Sequence, residues 1–83
     1  MNDKWTIYTA DDCPWCTKVL NMIKAHTIEP TLWIRNITRI EEAREVWRMS
    51  GFKTVPQVYF NGKHIGGYED TEDFIKKHKG ELF

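Results

Sequence analysis

Trp5-Thr6-Ile7-Tyr8-Thr9-Ala10-Asp11-Asp12-Cys13-Pro14-Trp15-Cys16 runs from a β-branched and aromatic segment into two cysteines with two residues between them. Trp5 to Thr9 reads as a buried strand. Beyond Cys16, the apolar residues Val19, Leu20 and Ile23 recur at helical spacing, with Lys18 and Lys24 off that face. Pro14 suits the first turn of that helix, where the N–H it lacks would have no intrahelical partner. The helix is expected to end near His26, and Pro30 blocks any continuation.

Working outward, Thr31-Leu32-Trp33-Ile34-Arg35 is a second strand, so the chain opens with a βαβ unit. Thr38-Arg39-Ile40-Glu41 matches a capping box and predicts a helix carrying Ile40, Ala43, Val46, Trp47 and Met49, closed by Gly51. Val55-Pro56-Gln57-Val58-Tyr59-Phe60 predicts a third strand, with its proline at the start, where a missing donor is tolerated. Asn61-Gly62 is a strong hairpin signal and sends Lys63-His64-Ile65 back antiparallel. Gly66-Gly67 marks a turn before a last helix with Phe74, Ile75 and His78 on one face. The class is α/β, in the order β-α-β-α-β-β-α. Without a repeat, linker or low-complexity tract, residues 1–83 are expected to form one domain.

A chain of 83 residues buries roughly 60–65% of its unfolded surface on folding, enough to do without cross-links. Twelve basic residues balance twelve acidic ones, which argues against nucleic acid or an anionic membrane as the main partner, since both need a concentrated positive field. The first twelve residues are charged and hold no apolar run, so no secretory leader is expected, and no stretch approaches a membrane span. The expected location is the reducing cytoplasm. There a Cys-x-x-Cys pair is reactive or metal-binding more often than structural. A cross-link between Cys13 and Cys16 would also constrain little of the unfolded chain.

The helix start supplies the chemistry. Cys13 is expected just before the first turn and Cys16 within it, where unpaired N–H groups and the helix dipole favour a thiolate on Cys13. Cys13 is then suited to attack a disulfide, and Cys16 to resolve the mixed disulfide that forms. Lys18 adds to that support if it folds back toward the N-terminus, whereas Asp11 and Asp12 oppose it. Two inert buried cysteines are the plain alternative. A zinc site is another, but zinc wants four ligands, and His26, His64 and His78 are not at finger spacing. No metal is therefore expected.

Three segments together resemble the signature regions of glutaredoxins: Cys13-Pro14-Trp15-Cys16 between strand and helix, Thr54-Val55-Pro56, and Gly66-Gly67-Tyr68-Glu69-Asp70. They stand in the family's order and spacing over nearly the whole chain, and the length resembles the compact dithiol members of bacteria and phages. The resemblance implies a thioredoxin fold, a four-stranded mixed sheet flanked by three helices. It also implies a cis bond before Pro56, a residue that otherwise reads as the start of a strand in trans. It further implies disulfide oxidoreductase activity with glutathione as reducing co-substrate and no tightly bound cofactor. Disulfide-containing proteins would be the clients, ribonucleotide reductase among them. A monomer is expected, in the host cytoplasm if the chain is phage-encoded.

By position, the resemblance implies that Trp15 packs on glutathione and Lys53 meets its glycine carboxylate. Thr54, Val55 and Pro56 present backbone to the ligand. Gly67 and Glu69 belong to the stretch whose N–H groups receive the α-carboxylate, and Asp70 takes the ammonium group while capping the last helix. Ala10 stands where relatives often carry Lys or Arg, and Asp11 and Asp12 follow it. Arg39, Arg44 and Arg48 are candidates to compensate. Two other readings follow from this departure and from thiolate chemistry: a redoxin of the same fold reduced by thioredoxin reductase, and an iron–sulfur protein, against which Pro14 counts. Trp5, Trp33 and Trp47 are expected in the core, His26 near a helix end, His64 exposed, and Lys76-Lys77-His78-Lys79 at the solvated end of the last helix.

Overall fold

The computed structural model describes residues 3–27 and 29–78; Lys79 of the basic run lies outside the described residues. Seven elements follow one another: β1 (Lys4–Thr9), α1 (Pro14–His26), β2 (Thr31–Asn36), α2 (Glu41–Met49), β3 (Gln57–Phe60), β4 (Lys63–Gly66) and α3 (Tyr68–Lys77). The strands lie in the order β2-β1-β3-β4, with β1 parallel to β2 and antiparallel to β3, and β4 antiparallel to β3. This is the mixed four-stranded sheet of the thioredoxin fold. β1 is interior, and that position suits its β-branched and aromatic composition.

Register divides the sheet into two faces. Trp5 and Ile7 of β1 stand beside Phe60 and Val58 of β3, and this face meets Val19 and Ile23 of α1 and Ile75 of α3 in one apolar cluster. Tyr8 stands beside Arg35 and Gln57, and Thr6 beside Trp33 and Tyr59, on the opposite face. α2 lies there, because its Glu42 carboxylate pairs with the Arg35 guanidinium. Glu42 first of all, with help from the Tyr8 side chain, holds Arg35 above the usual guanidinium pKa.

Local signals set the turns. At the hairpin, Asn61 (φ 49°) and Gly62 (φ 86°) are both left-handed, as the tight turn that matches strand twist requires. Asn61 also donates its N–H to the Lys4 carbonyl and accepts the Lys4 N–H at its side-chain oxygen, both at 2.8 Å, tying the hairpin to β1. α1 begins at Pro14 and ends at His26, as its pattern predicts.

The structure corrects several expectations. No capping box forms at Thr38: α2 starts at Glu41 with Ile40 before it and no side-chain cap. Asn36 takes over that turn, its side-chain oxygen accepting the Thr38 and Arg39 N–H groups at 2.8 and 3.1 Å, as Asx turns do. The Thr38 hydroxyl instead accepts the Asp11 N–H at 3.0 Å. Val55 and Pro56 precede β3 rather than belong to it. Trp33 is not core: it is 47% exposed, with Lys4 Nζ and the Arg35 guanidinium carbon 4.6 and 4.5 Å from its ring centre. Ile40, Val46 and Met49 are exposed, and only Ala43 of α2 is buried, because a nine-residue helix spans about 13 Å and covers little of its face.

Candidate active site

Cys13 and Cys16 are joined in a disulfide with their Cα atoms 5.2 Å apart. The two differ sharply in access: Cys16 is buried, and Cys13 is partly open to solvent. Cys13 caps α1, its carbonyl accepting the Cys16 and Thr17 N–H groups at 3.1 and 3.3 Å and its Sγ accepting the Cys16 N–H at 3.2 Å. A donor aimed at the sulfur from a helix N-terminus favours the thiolate once the disulfide is reduced. Across from it the Val55–Pro56 peptide is cis, and the Val55 carbonyl oxygen lies 4.0 Å from Cys13 Sγ.

Beside the pair runs a groove of about 300 Å³, lined by Trp15, Thr54-Val55-Pro56 and the Gly67-to-Asp70 stretch. Trp15 is half exposed and its ring lies 5.3 Å from that of Tyr68. Lys18 does turn back along α1, but onto the indole, with Nζ 4.4 Å from its centre. Lys53 is exposed and outside the lining. Asp70 is not the N-cap of α3: Gly67 holds that position, and Glu69 and Asp70 fall in the first turn, where acidic side chains suit the dipole. Gly66 adopts φ 133°, and a Cβ there would lie 2.8 Å from Asp70 Cβ and Cγ and closer still to its carboxylate oxygen.

The acidic approach to Cys13 is compensated. Arg39 Nε donates to Asp11 Oδ1 at 2.9 Å and the Asn36 amide donates to the same oxygen at 3.0 Å. The Arg39 guanidinium, and after it the Asn36 amide, hold the Asp11 carboxyl below the usual carboxylate range, and Asp11 raises Arg39 in turn. Of the three candidate arginines, Arg39 therefore serves the cysteine loop, and Arg48 pairs with Glu45 on its own helix at 2.7 and 2.9 Å.

Three polar side chains near the groove escaped the sequence reading. The Trp47 indole N–H donates to the Thr54 carbonyl at 3.0 Å, and Gln57 Nε2 donates to the same carbonyl and to the Thr54 hydroxyl at 3.2 and 3.1 Å. His64, exposed as expected, nonetheless bonds Gln57 Oε1 through Nε2 at 2.8 Å and packs on Phe52 and Tyr59. The available signal was Gln57 itself, one amide between Pro56 and Val58 in an otherwise apolar strand.

The glutaredoxin family model matches residues 5–65. Glutaredoxin 1 of Rickettsia prowazekii is 32% identical over 72 residues, covering 86% of this chain and 76% of that protein. Among solved structures, the glutaredoxin-like NrdH-redoxin of Escherichia coli, described as having a thioredoxin-like activity profile, superposes with a TM-score of 0.72. It is 27% identical, with 89% of this chain and 92% of that chain covered. The dithiolic glutaredoxin 2-C-Grx1 of Trypanosoma brucei brucei gives 0.75 at 25% identity, covering 96% and 86%.

Proposed function

The chain belongs to the glutaredoxin family and is a thiol–disulfide oxidoreductase; on that premise we propose that glutathione is its reductant and that it reduces both protein disulfides and glutathione-mixed disulfides. The observation that carries this reading is the groove joining Trp15, Thr54-Val55-Pro56 and Gly67 to Asp70 next to the accessible Cys13. Glutathione would lie extended there, its cysteinyl backbone against Val55 in the manner of an added strand. Its γ-glutamyl carboxylate would meet the N–H groups at Glu69 and Asp70, and its ammonium the Asp70 carboxylate. Trp15 would cover the middle, and Lys53 would reach the glycine carboxylate.

With a glutathione-mixed disulfide, the Cys13 thiolate bonds to the glutathione sulfur and the client leaves as thiolate. A second glutathione then attacks the adduct, giving glutathione disulfide and free Cys13. With a protein disulfide, Cys13 forms a bond to one client sulfur and expels the other. Cys16 then attacks Cys13, the client leaves reduced, and the Cys13–Cys16 disulfide remains for glutathione to reduce in two exchanges. Ribonucleotide reductase is a fitting client. The work would be done by a monomer in the cytoplasm, the host's if the gene is a phage's.

The same structure supports a second reading, in which thioredoxin reductase supplies the electrons. Ala10 offers no cation to the groove, Arg39 is engaged by Asp11, and the NrdH-redoxin likeness is as good as that to the dithiolic glutaredoxin. Turnover of a cysteine–glutathione disulfide with NADPH, glutathione and glutathione reductase is expected; turnover only with thioredoxin reductase would transfer the chain to the second reading. Cys16→Ser should keep activity on glutathione-mixed disulfides and lose most activity on protein disulfides. Equal loss of both would overturn the assigned roles.

A further inference from the structure

The hydrogen bonds behind Thr54 have a direction that chemistry fixes. A backbone carbonyl only accepts, so the Gln57 atom 3.2 Å from the Thr54 oxygen is the amide nitrogen. Its second contact, at 3.1 Å, is the Thr54 hydroxyl, which can accept as well. The Gln57 carbonyl oxygen therefore faces His64, and at 2.8 Å the ring nitrogen opposite it must be the donor. His64 thus carries a proton on Nε2. The Trp47 indole N–H fills the other acceptor direction of the Thr54 carbonyl from the α2 side. Gln57 is buried, so an amide turned the wrong way would leave polar groups unsatisfied away from water.

We propose that His64 and Gln57 are positioning residues for disulfide exchange: His64, as the Nε2–H tautomer, orients the Gln57 amide, which with Trp47 holds Thr54 so that the Val55 backbone stands opposite Cys13. None of the three touches the sulfurs. They act on the segment against which an extended substrate aligns, so they set the rate of attack on a disulfide borne by a chain. The intrinsic reactivity of the Cys13 thiolate is left alone. The inference rests on the reading that substrate backbone pairs with Val55.

The test compares two reagents on the reduced protein. One is a peptide carrying glutathione on its single cysteine: Cys13 bonds to the glutathione sulfur and the peptide thiolate leaves. The other is iodoacetamide, which alkylates Cys13 with loss of iodide and needs no strand pairing. Gln57→Glu keeps the shape and the His64 bond but, as the carboxylate, cannot donate to Thr54. It should slow the peptide reaction about tenfold, the scale of one or two hydrogen bonds, and change alkylation less than about twofold. His64→Phe, which keeps the ring against Phe52 and Tyr59, should slow the peptide by roughly threefold. Unchanged peptide rates, or alkylation falling in parallel, would overturn the proposal. Failure of the wild type itself to react with the peptide would instead overturn the reading of the groove. Nitrogen NMR of neutral His64 in the wild type needs no variant: the Nε2–H form is expected, and the Nδ1–H form would refute the chain of donors.

Discussion

Where α1 and α3 cover the sheet, Trp5, Ile7, Val19, Ile23 and Val58 are wholly buried and touch hydrocarbon and aromatic neighbours. Where α2 covers it, the groups in contact are Arg35 with Glu42, Trp47 and Gln57 with Thr54, and His64 with Phe52 and Tyr59. The first face is held by burial, which is strong and has no direction. The second is held by hydrogen bonds and ring contacts, which are weaker one by one but specify where a loop stands. Of the two flanks of Cys13, the Thr54 segment is anchored from the second face, through Trp47 and Gln57, whereas Asp11 is held by Asn36 at the end of β2 and by Thr38 and Arg39 in the turn before α2. The apolar core and the polar ties that hold the Thr54 segment are thus assigned to opposite sides of one sheet.

The strongest attempt to break that division is Trp5→Ala. Removing a wholly buried indole should cost about 3–5 kcal/mol of stability, read by urea or thermal unfolding. A loss no larger than that of a half-exposed tryptophan would erase the contrast.

A more selective change is Arg39→Ala, which should leave the apolar core intact and release Asp11. Because the folded Asp11 carboxyl lies below its ordinary range, the pair's contribution is complete above the unfolded carboxylate pKa, about 3.9. It is lost as pH falls through the lower folded value. Wild type and variant should therefore differ at neutral pH and converge in strong acid, and the Asp11 titration followed by carbon NMR should move upward in the variant. High salt should shrink the neutral-pH difference, since Arg39 is exposed. A difference that is constant with pH would show that Arg39 acts by packing alone.

The smallest effect is expected at Trp33→Ser. This indole is 47% exposed and flanked by Lys4 and Arg35, so the change should stay within about 0.5 kcal/mol. A larger loss would mean that the second face stores more of the stability than its burial shows.

The same division explains what could be read in the sequence. Strand β1, helix α1 and the Asn61-Gly62 hairpin carry local signals, namely periodicity, a helix-starting proline and left-handed turn residues, and these were legible without tertiary knowledge. Trp33 and Ile40 misled because an apolar residue on a short strand or helix is buried only if something long enough covers it. Thr38 misled because a capping sequence competes with an Asn two residues earlier, and Asn36 won that turn. At the site, the cysteine pair and the groove segments were legible as motifs. The Arg39 partner, 28 residues from Asp11, and the Gln57–His64 pair on adjacent strands were not, since each contact depends on how distant segments meet.

Gly66 and Asp70 carry one further consequence, for the way such a chain can drift in evolution. The carboxylate of Asp70 fills the space that any side chain at position 66 would need, so the two positions are a single unit of inheritance. A lineage that acquired a Cβ at 66 would have to surrender or redirect the acid at 70, while loss of the acid would release the glycine to everything except its backbone angle. Whatever the groove receives at its acidic end, its chemistry is thereby recorded in a residue that has no side chain at all.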